Sequence, residues 1–284
     1  MSRLETTEVL KNSDEAIKTW DKPLDYSLYN PDEEEKMFFK KETGIEDDEQ
    51  LREYIIAVQT KAYTIHQYPC IRVYEFMRLK LARLPAYPKL IKLGGLLLLV
   101  CCVGNDCRKA AQDGYPIQSI LATDLRRTLW DIGHEMFRST PETFPVPFIE
   151  GDVLDPSFFL DTFPPVMSEG TTMVPSARQP VSLDRVKNLN ELRGGVSAIF
   201  AGAFFHLFTE VNQERIARGL AGLLSPSPGS MLLVVHGGKT TKGFGVQEVA
   251  DSRCFAILQR PGKHFGKEYL GQTESKSKLT SDQR

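Results

Sequence analysis

The stretch Leu97–Ala110, LLLVCCVGNDCRKA, runs from an unbroken apolar segment through one glycine into a polar, helix-forming segment. Apolar residues on both parities fit a strand covered on both faces, and Gly104 permits a tight turn and close approach of the backbone to a ligand. The N–H groups opening the following helix are a ready place for an anionic or polar group. A dinucleotide fingerprint G-x-G-x-x-G is missing, since Cys102 and Cys107 stand where further glycines belong, and no G-x-x-x-x-G-K-[ST] loop follows.

Outward from this point the chain alternates. SILATDL, VPFIEGDVL, GVSAIFAGAFFHLF and GSMLLVVHGG read as four more strands. DCRKAAQDGY, RRTLWDIGHEMFRS and TEVNQERIARGLAGLL read as helices between them. Five short strands separated by helix-length segments predict a doubly wound, mainly parallel α/β sheet with right-handed crossovers, whose ligands bind at the carboxyl ends of the strands. Residues 1–88 read as an acidic helical cap, with Leu51, Tyr54, Ile55, Val58 and Ala62 at helical spacing. The same period is expected to resume after Pro69 in YPCIRVYEFMRLKLARL. Residues 89–242 form the α/β domain in this reading, interrupted by the Pro- and Ser-rich FPPVMSEGTTMVPSARQP. Residues 243–284 diverge: a helix and a strand are conceivable, and the polar TESKSKLTSDQR reads as disordered.

The bulk properties exclude several classes. A net charge of -2 and a pI near 6.3 give no electrostatic footprint for nucleic acid or an anionic membrane. The longest apolar run, from Leu93 to Val103, is about half a helical membrane span and contains Gly94 and Gly95. The N-terminus lacks the marks of a secretory or transit segment, so a cytoplasmic protein is expected. Cys70, Cys101, Cys102, Cys107 and Cys254 are odd in number and contain no C-x-x-C, which suits a reducing compartment and argues against a metal site.

At the strand ends, Asp124 stands 20 positions beyond Gly104, where an acid can accept hydrogen bonds from both hydroxyls of a ribose; capping the helix near Arg126 explains it equally well. Gly151, Asp152 and Val153 could offer a polar contact and an apolar wall to an adenine, and a plain turn explains the same letters.

Taken in order, CCVGNDCRKAAQDG, ILATDL, FIEGDVLD, AFFHLF and the upstream HQYPCIRVYEF resemble the class I S-adenosylmethionine-dependent methyltransferases, and more narrowly those of fungal meroterpenoid and polyketide pathways. The resemblance implies a Rossmann-like sheet under a helical lid that includes Tyr68 to Phe76. It implies that Cys102, Val103 and Gly104 turn around the methionine moiety of S-adenosyl-L-methionine. Asp124 and Leu125 would then flank the ribose, Asp152 and Val153 would hold the adenine, and Phe204, Phe205 and His206 would line the approach to the methyl group. It further implies a small apolar substrate methylated on a carboxyl or hydroxyl oxygen, with His206 as general base for a hydroxyl, and a homodimer. Two positions depart from the pattern: relatives carry an acid and a glycine where Leu98 and Val100 stand here. A positive φ at that glycine would make Val100 a source of strain. The ending beyond Gly238 also departs from the family's antiparallel pair. A cofactor-free binding or scaffold protein of the same fold is therefore the rival reading.

Overall fold

The computed structural model describes residues 22–161, 182–237 and 252–258, the last by backbone. The insertion at residues 163–180 and the terminal TESKSKLTSDQR lie outside the described residues. Six strands form one sheet in the order β3-β2-β1-β4-β5-β6: β1 (Leu97–Val100), β2 (Ile120–Asp124), β3 (Phe148–Glu150), β4 (Ala198–Gly202), β5 (Met231–Gly237) and β6 (Ser252–Leu258). The first five are parallel. They are linked by α5 (Asn105–Gln112) between β1 and β2, α6 (Arg127–Met136) between β2 and β3, and α7 (Glu210–Leu223) between β4 and β5. This is the doubly wound α/β arrangement expected from the alternation, and the direction of strand addition reverses between β1 and β4.

The apolar run is continuous because both faces of the sheet are covered. Leu97 and Leu99 join Ile120, Ala122, Phe200 and Leu233 in one core, while Leu98 joins Leu121, Ile199, Ala201 and Leu232 in the other. The period of 2 along β1 thus assigns successive leucines to opposite layers.

In the divergent ending, the strand that the sequence allowed is present. β6 pairs antiparallel with β5 along seven residues, Met231 opposite Leu258 and Gly237 opposite Ser252. The chain therefore does supply one antiparallel edge strand, SRCFAIL, in which Phe255 and Ile257 are strand-favouring residues.

The N-terminal helices α1 (Glu33–Thr43) and α2 (Asp48–Ile65) begin at carboxylate caps. Asp32 and Glu35 form a reciprocal capping box at α1, and Asp47 accepts from the backbone N–H groups of Glu49 and Gln50 at α2. Both helices pack through Phe38, Phe39, Leu51, Ile55 and Val58 onto Leu129, Ile132, Met136 and Phe137 of α6 and its end. Beyond Pro69 the expected continuous helical period fails. The α-helix α3 (Pro69–Arg72) lasts a single turn, Tyr74 takes a left-handed φ of 58° that breaks it, and only a 3-10 turn over Glu75–Met77 follows. The segment that follows is held by the sheet domain instead: Asn105 Nδ2 donates to the Arg78 carbonyl (2.7 Å) and the Leu81 N–H donates to Asp106 Oδ1 (2.9 Å). Leu81, Leu84, Tyr87 and Leu90, the last two in α4 (Tyr87–Leu93), pack in the sheet's own core.

Candidate active site

Parallel register places the ends of the first four strands at one edge. Val100 lies opposite Thr123 on one side and Ala201 on the other, and Asp124 lies opposite Glu150. Residues 101–104, 125–128, 151–154 and 203–206 therefore leave the sheet side by side, at the crevice where the strand order reverses.

Gly104 caps α5 in the left-handed region, φ 79°. A Cβ there would stand 2.6 Å from the Trp130 ring, and one at Gly133 would stand 2.1 Å from the Val103 carbonyl oxygen. Both glycines let α6 press against the turn, so packing alone demands them. No side chain caps α5, which leaves its opening N–H groups directed at the crevice.

Val100 settles one question raised by the departures. It lies inside β1 and is absent from the residues of positive φ, so the anticipated strain does not arise. Its side chain is half-buried against the second core. Leu98 is fully buried there as well, filling with hydrocarbon the place where the resemblance implied an acid.

Cys101 and Cys102 point to opposite sides, as adjacent strand-end residues must. Cys101 is buried in the first core, and Cys102 packs against the helical layer. Burial pushes the Cys102 thiol well above its usual range, and the Cys101 thiol is raised by its hydrogen bond with Cys107 and by burial. Thiols held protonated are poor nucleophiles.

Asp124 is half-buried at the end of β2, and its Oδ1 accepts from the Arg126 N–H at 3.2 Å. Burial pushes this carboxyl up to about 7, against the lowering effect of the backbone N–H groups of Arg126 and Leu125; neighbouring Glu150 raises it further. Asp124 thus stands two residues before Arg126, the helix cap, and closes a local turn onto that residue's N–H; no side-chain hydrogen bond caps the helix at Arg126 itself. A carboxylate offers about four acceptor directions, so the turn does not exhaust it. Leu125 beside it is 44% exposed. Asp152 accepts from the Leu154 N–H at 2.8 Å, closing a turn in which Val153 half-buries against the second core. The Gly151 N–H donates to the Asp124 carbonyl, tying this turn to the end of β2.

After β4, Ala203 adopts a left-handed φ of 52°, a conformation costly for a side-chain-bearing residue and frequent at functional sites. It turns the chain so that Phe204 and Phe205 bury while His206 and Leu207 are exposed. Phe204 meets Phe205 and Phe208 edge to face.

The lid reaches the same edge through contacts that the sequence did not signal. His66 Nε2 and Thr128 Oγ1 are 2.8 Å apart, His66 stacks on Tyr68, and the charge of Asp124 is felt at Cys70 in α3. A separate cleft of about 610 Å3, lined by Gly44, Asp47, Tyr54 and Arg138 among others, shares no residue with this edge. Among the described residues no cluster of His, Cys, Asp and Glu could hold a metal ion, and no helix is long and apolar enough to cross a membrane.

Residues 25–77 match the family described as the meroterpenoid methyltransferase N-terminal domain. The chain is 28% identical over 236 residues to the O-methyltransferase phiE of a fungal species, covering 81% of this chain and 64% of that one. It is 26% identical over 212 residues to the asnovolin E/chermesin D methyltransferase nvfJ of Aspergillus novofumigatus, covering 73% and 66%. It thus spans less than two thirds of the length of either relative. A solved S-adenosylmethionine-dependent methyltransferase from Mesorhizobium loti overlaps 55% of this chain and 56% of its own at 17% identity, with a TM-score of 0.32. Through its N-terminal helices and its sheet, the chain is similar in sequence to methyltransferases of fungal secondary metabolism.

Proposed function

We propose that the chain binds S-adenosyl-L-methionine at the carboxyl ends of β1 to β4 and catalyses methylation of an oxygen on a small, apolar terpenoid or polyketide intermediate. The observation that carries this reading is the register that brings the uncapped start of α5, the unexhausted carboxyl of Asp124 and the Asp152 turn to one crevice. Names of relatives that are O-methyltransferases support the reaction class.

In this reading the turn from Cys102 to Gly104 receives the methionine moiety, Asp124 with Leu125 the ribose, and Asp152 with Val153 the adenine. The donor set fits: acceptors face a group rich in hydroxyl and amino donors. When bound, the cofactor supplies an electrophilic methyl group on a positively charged sulfur. The protein's task is then to bring the acceptor oxygen into line and exclude water. Phe205 and its neighbours form an apolar wall, and His206, exposed at the β4 end, accepts the proton of a hydroxyl substrate. A carboxylate substrate is already ionised and needs no base. The four free cysteines among the described residues suit a reducing, cytoplasmic setting, and sedimentation would test the homodimer that the resemblance implies.

Calorimetric titration with S-adenosylmethionine, followed by methyl transfer across a panel of terpenoid and aromatic acids and alcohols, tests the proposal. No heat at millimolar cofactor would refute it and favour the cofactor-free binding protein, the reading that Leu98 and Val100 support.

A further inference from the structure

After Tyr74 the chain makes one short 3-10 turn, Glu75–Met77, and then runs without regular structure held against the start of α5. Asn105 and Asp106, the two residues directly after Gly104, grip the Arg78 carbonyl and the Leu81 N–H at 2.7 and 2.9 Å. Lys80 lies between these two anchors, so its stem starts beside the opening of α5. Its side chain is only 16% exposed and folds back: Nζ donates to the Glu75 carbonyl at 2.7 Å and forms an ion pair with the Glu75 carboxylate at 3.0 Å. An ammonium has three donors, so one N–H has no partner among the described residues. The charge of Lys80 is felt at Cys70, Cys102 and Asp106, which surround the same turn. The nearby Arg78 and Arg83 are occupied by Glu35 and Asp32.

We propose that the Lys80–Glu75 pair is the seat of the α-amino-acid end of S-adenosylmethionine, Lys80 receiving its carboxylate and Glu75 its ammonium. This rests on the cofactor reading above; it adds Lys80, which the sequence pattern did not single out, and gives Glu75, expected only as part of the lid, a specific partner. An ion pair of opposite polarity is the complement of a zwitterion. It also brings a carboxylate to a turn whose own strand, with Leu98 buried in hydrocarbon, has none at that position.

The test is calorimetry on the full chain with two ligands: S-adenosylmethionine and 5′-methylthioadenosine, which keeps the adenosyl thioether and lacks the amino-acid arm. Lys80→Met is expected to weaken the first by about 10- to 100-fold, the loss of one charge-assisted contact, and the second by less than about twofold. Lys80→Arg should retain most of the affinity. Glu75→Gln should show the same selectivity, and it serves as the reading should Lys80→Met fail to fold. Equal loss for both ligands would mean a structural role and overturn the proposal, as would no loss for either. A wild-type chain that binds neither ligand would overturn the cofactor reading and this proposal together; one that binds both while Lys80→Met changes nothing would overturn this proposal alone.

Discussion

Replacing Asp124 with Asn should separate the stability of the protein from its function. Burial raises this carboxyl from the ordinary 3.8 to about 7. A folded-state value above the unfolded one means that the native chain holds the extra proton between these limits, so stability falls as pH climbs from about 4 to 7 and the full penalty applies above 7. Roughly three pKa units at 1.36 kcal/mol each give a ceiling of about 4 kcal/mol, reduced by the partial exposure of the side chain. About two of those units, or nearly 3 kcal/mol, fall between pH 5 and 7. Asparagine keeps an acceptor for the Arg126 N–H but carries no charge to desolvate. Thermal unfolding of the ligand-free proteins at pH 5 and pH 8.5 reads the difference. Asp124→Asn should melt higher than wild type at pH 8.5, by several degrees at roughly 2–4 °C per kcal/mol, with a smaller gap at pH 5. The same variant should bind S-adenosylmethionine at least about 100-fold more weakly, having lost charged acceptance from two ribose hydroxyls. A variant that melts lower at pH 8.5, or a gap that does not widen with pH, would refute the account of a carboxylate kept at a cost for a ligand.

Gly104→Ala forces a left-handed alanine into the Trp130 ring, and a loss of about 2–4 kcal/mol in urea unfolding is expected from strain and overpacking combined; a neutral result would mean that α6 yields more readily than its packing suggests. Installing Leu98→Asp with Val100→Gly creates the acid and glycine that the resemblance implies, but the aspartate enters a fully buried apolar site, so the unfolding free energy should drop by about 3 kcal/mol or more. Unchanged stability would contradict the burial of Leu98. His206→Ala should reduce kcat by about 100-fold or more on a hydroxyl substrate and by only a few-fold on a carboxylic acid, a contrast that identifies the methylated group; equal loss on both would assign His206 a role other than proton acceptance.

Much of the architecture was legible in local pattern. Strand runs punctuated by Gly104, Asp124 and the Gly151–Asp152 pair carry their own record of burial, because a strand covered on both faces has no polar side to display. The lid was legible only as apolar periodicity, and that reading overshot: after Pro69 the chain abandons helix where Asn105 and Asp106 offer its backbone better partners than its own next turn. β6 was only half visible, since an edge strand lies next to a neighbour chosen by topology and not by adjacency in sequence.

The sequence by itself determined which residues stand at strand ends, since hydrophobic period and turn chemistry are properties of a few neighbouring residues. Only the tertiary structure decided what each faces: that Gly104 answers to Trp130, that Val100 is unstrained, that Asp124 is desolvated, and that Lys80 pairs with Glu75. Those outcomes depend on contacts between segments distant along the chain, whose energies arise from burial and approach once the layers have closed, and no local pattern encodes them.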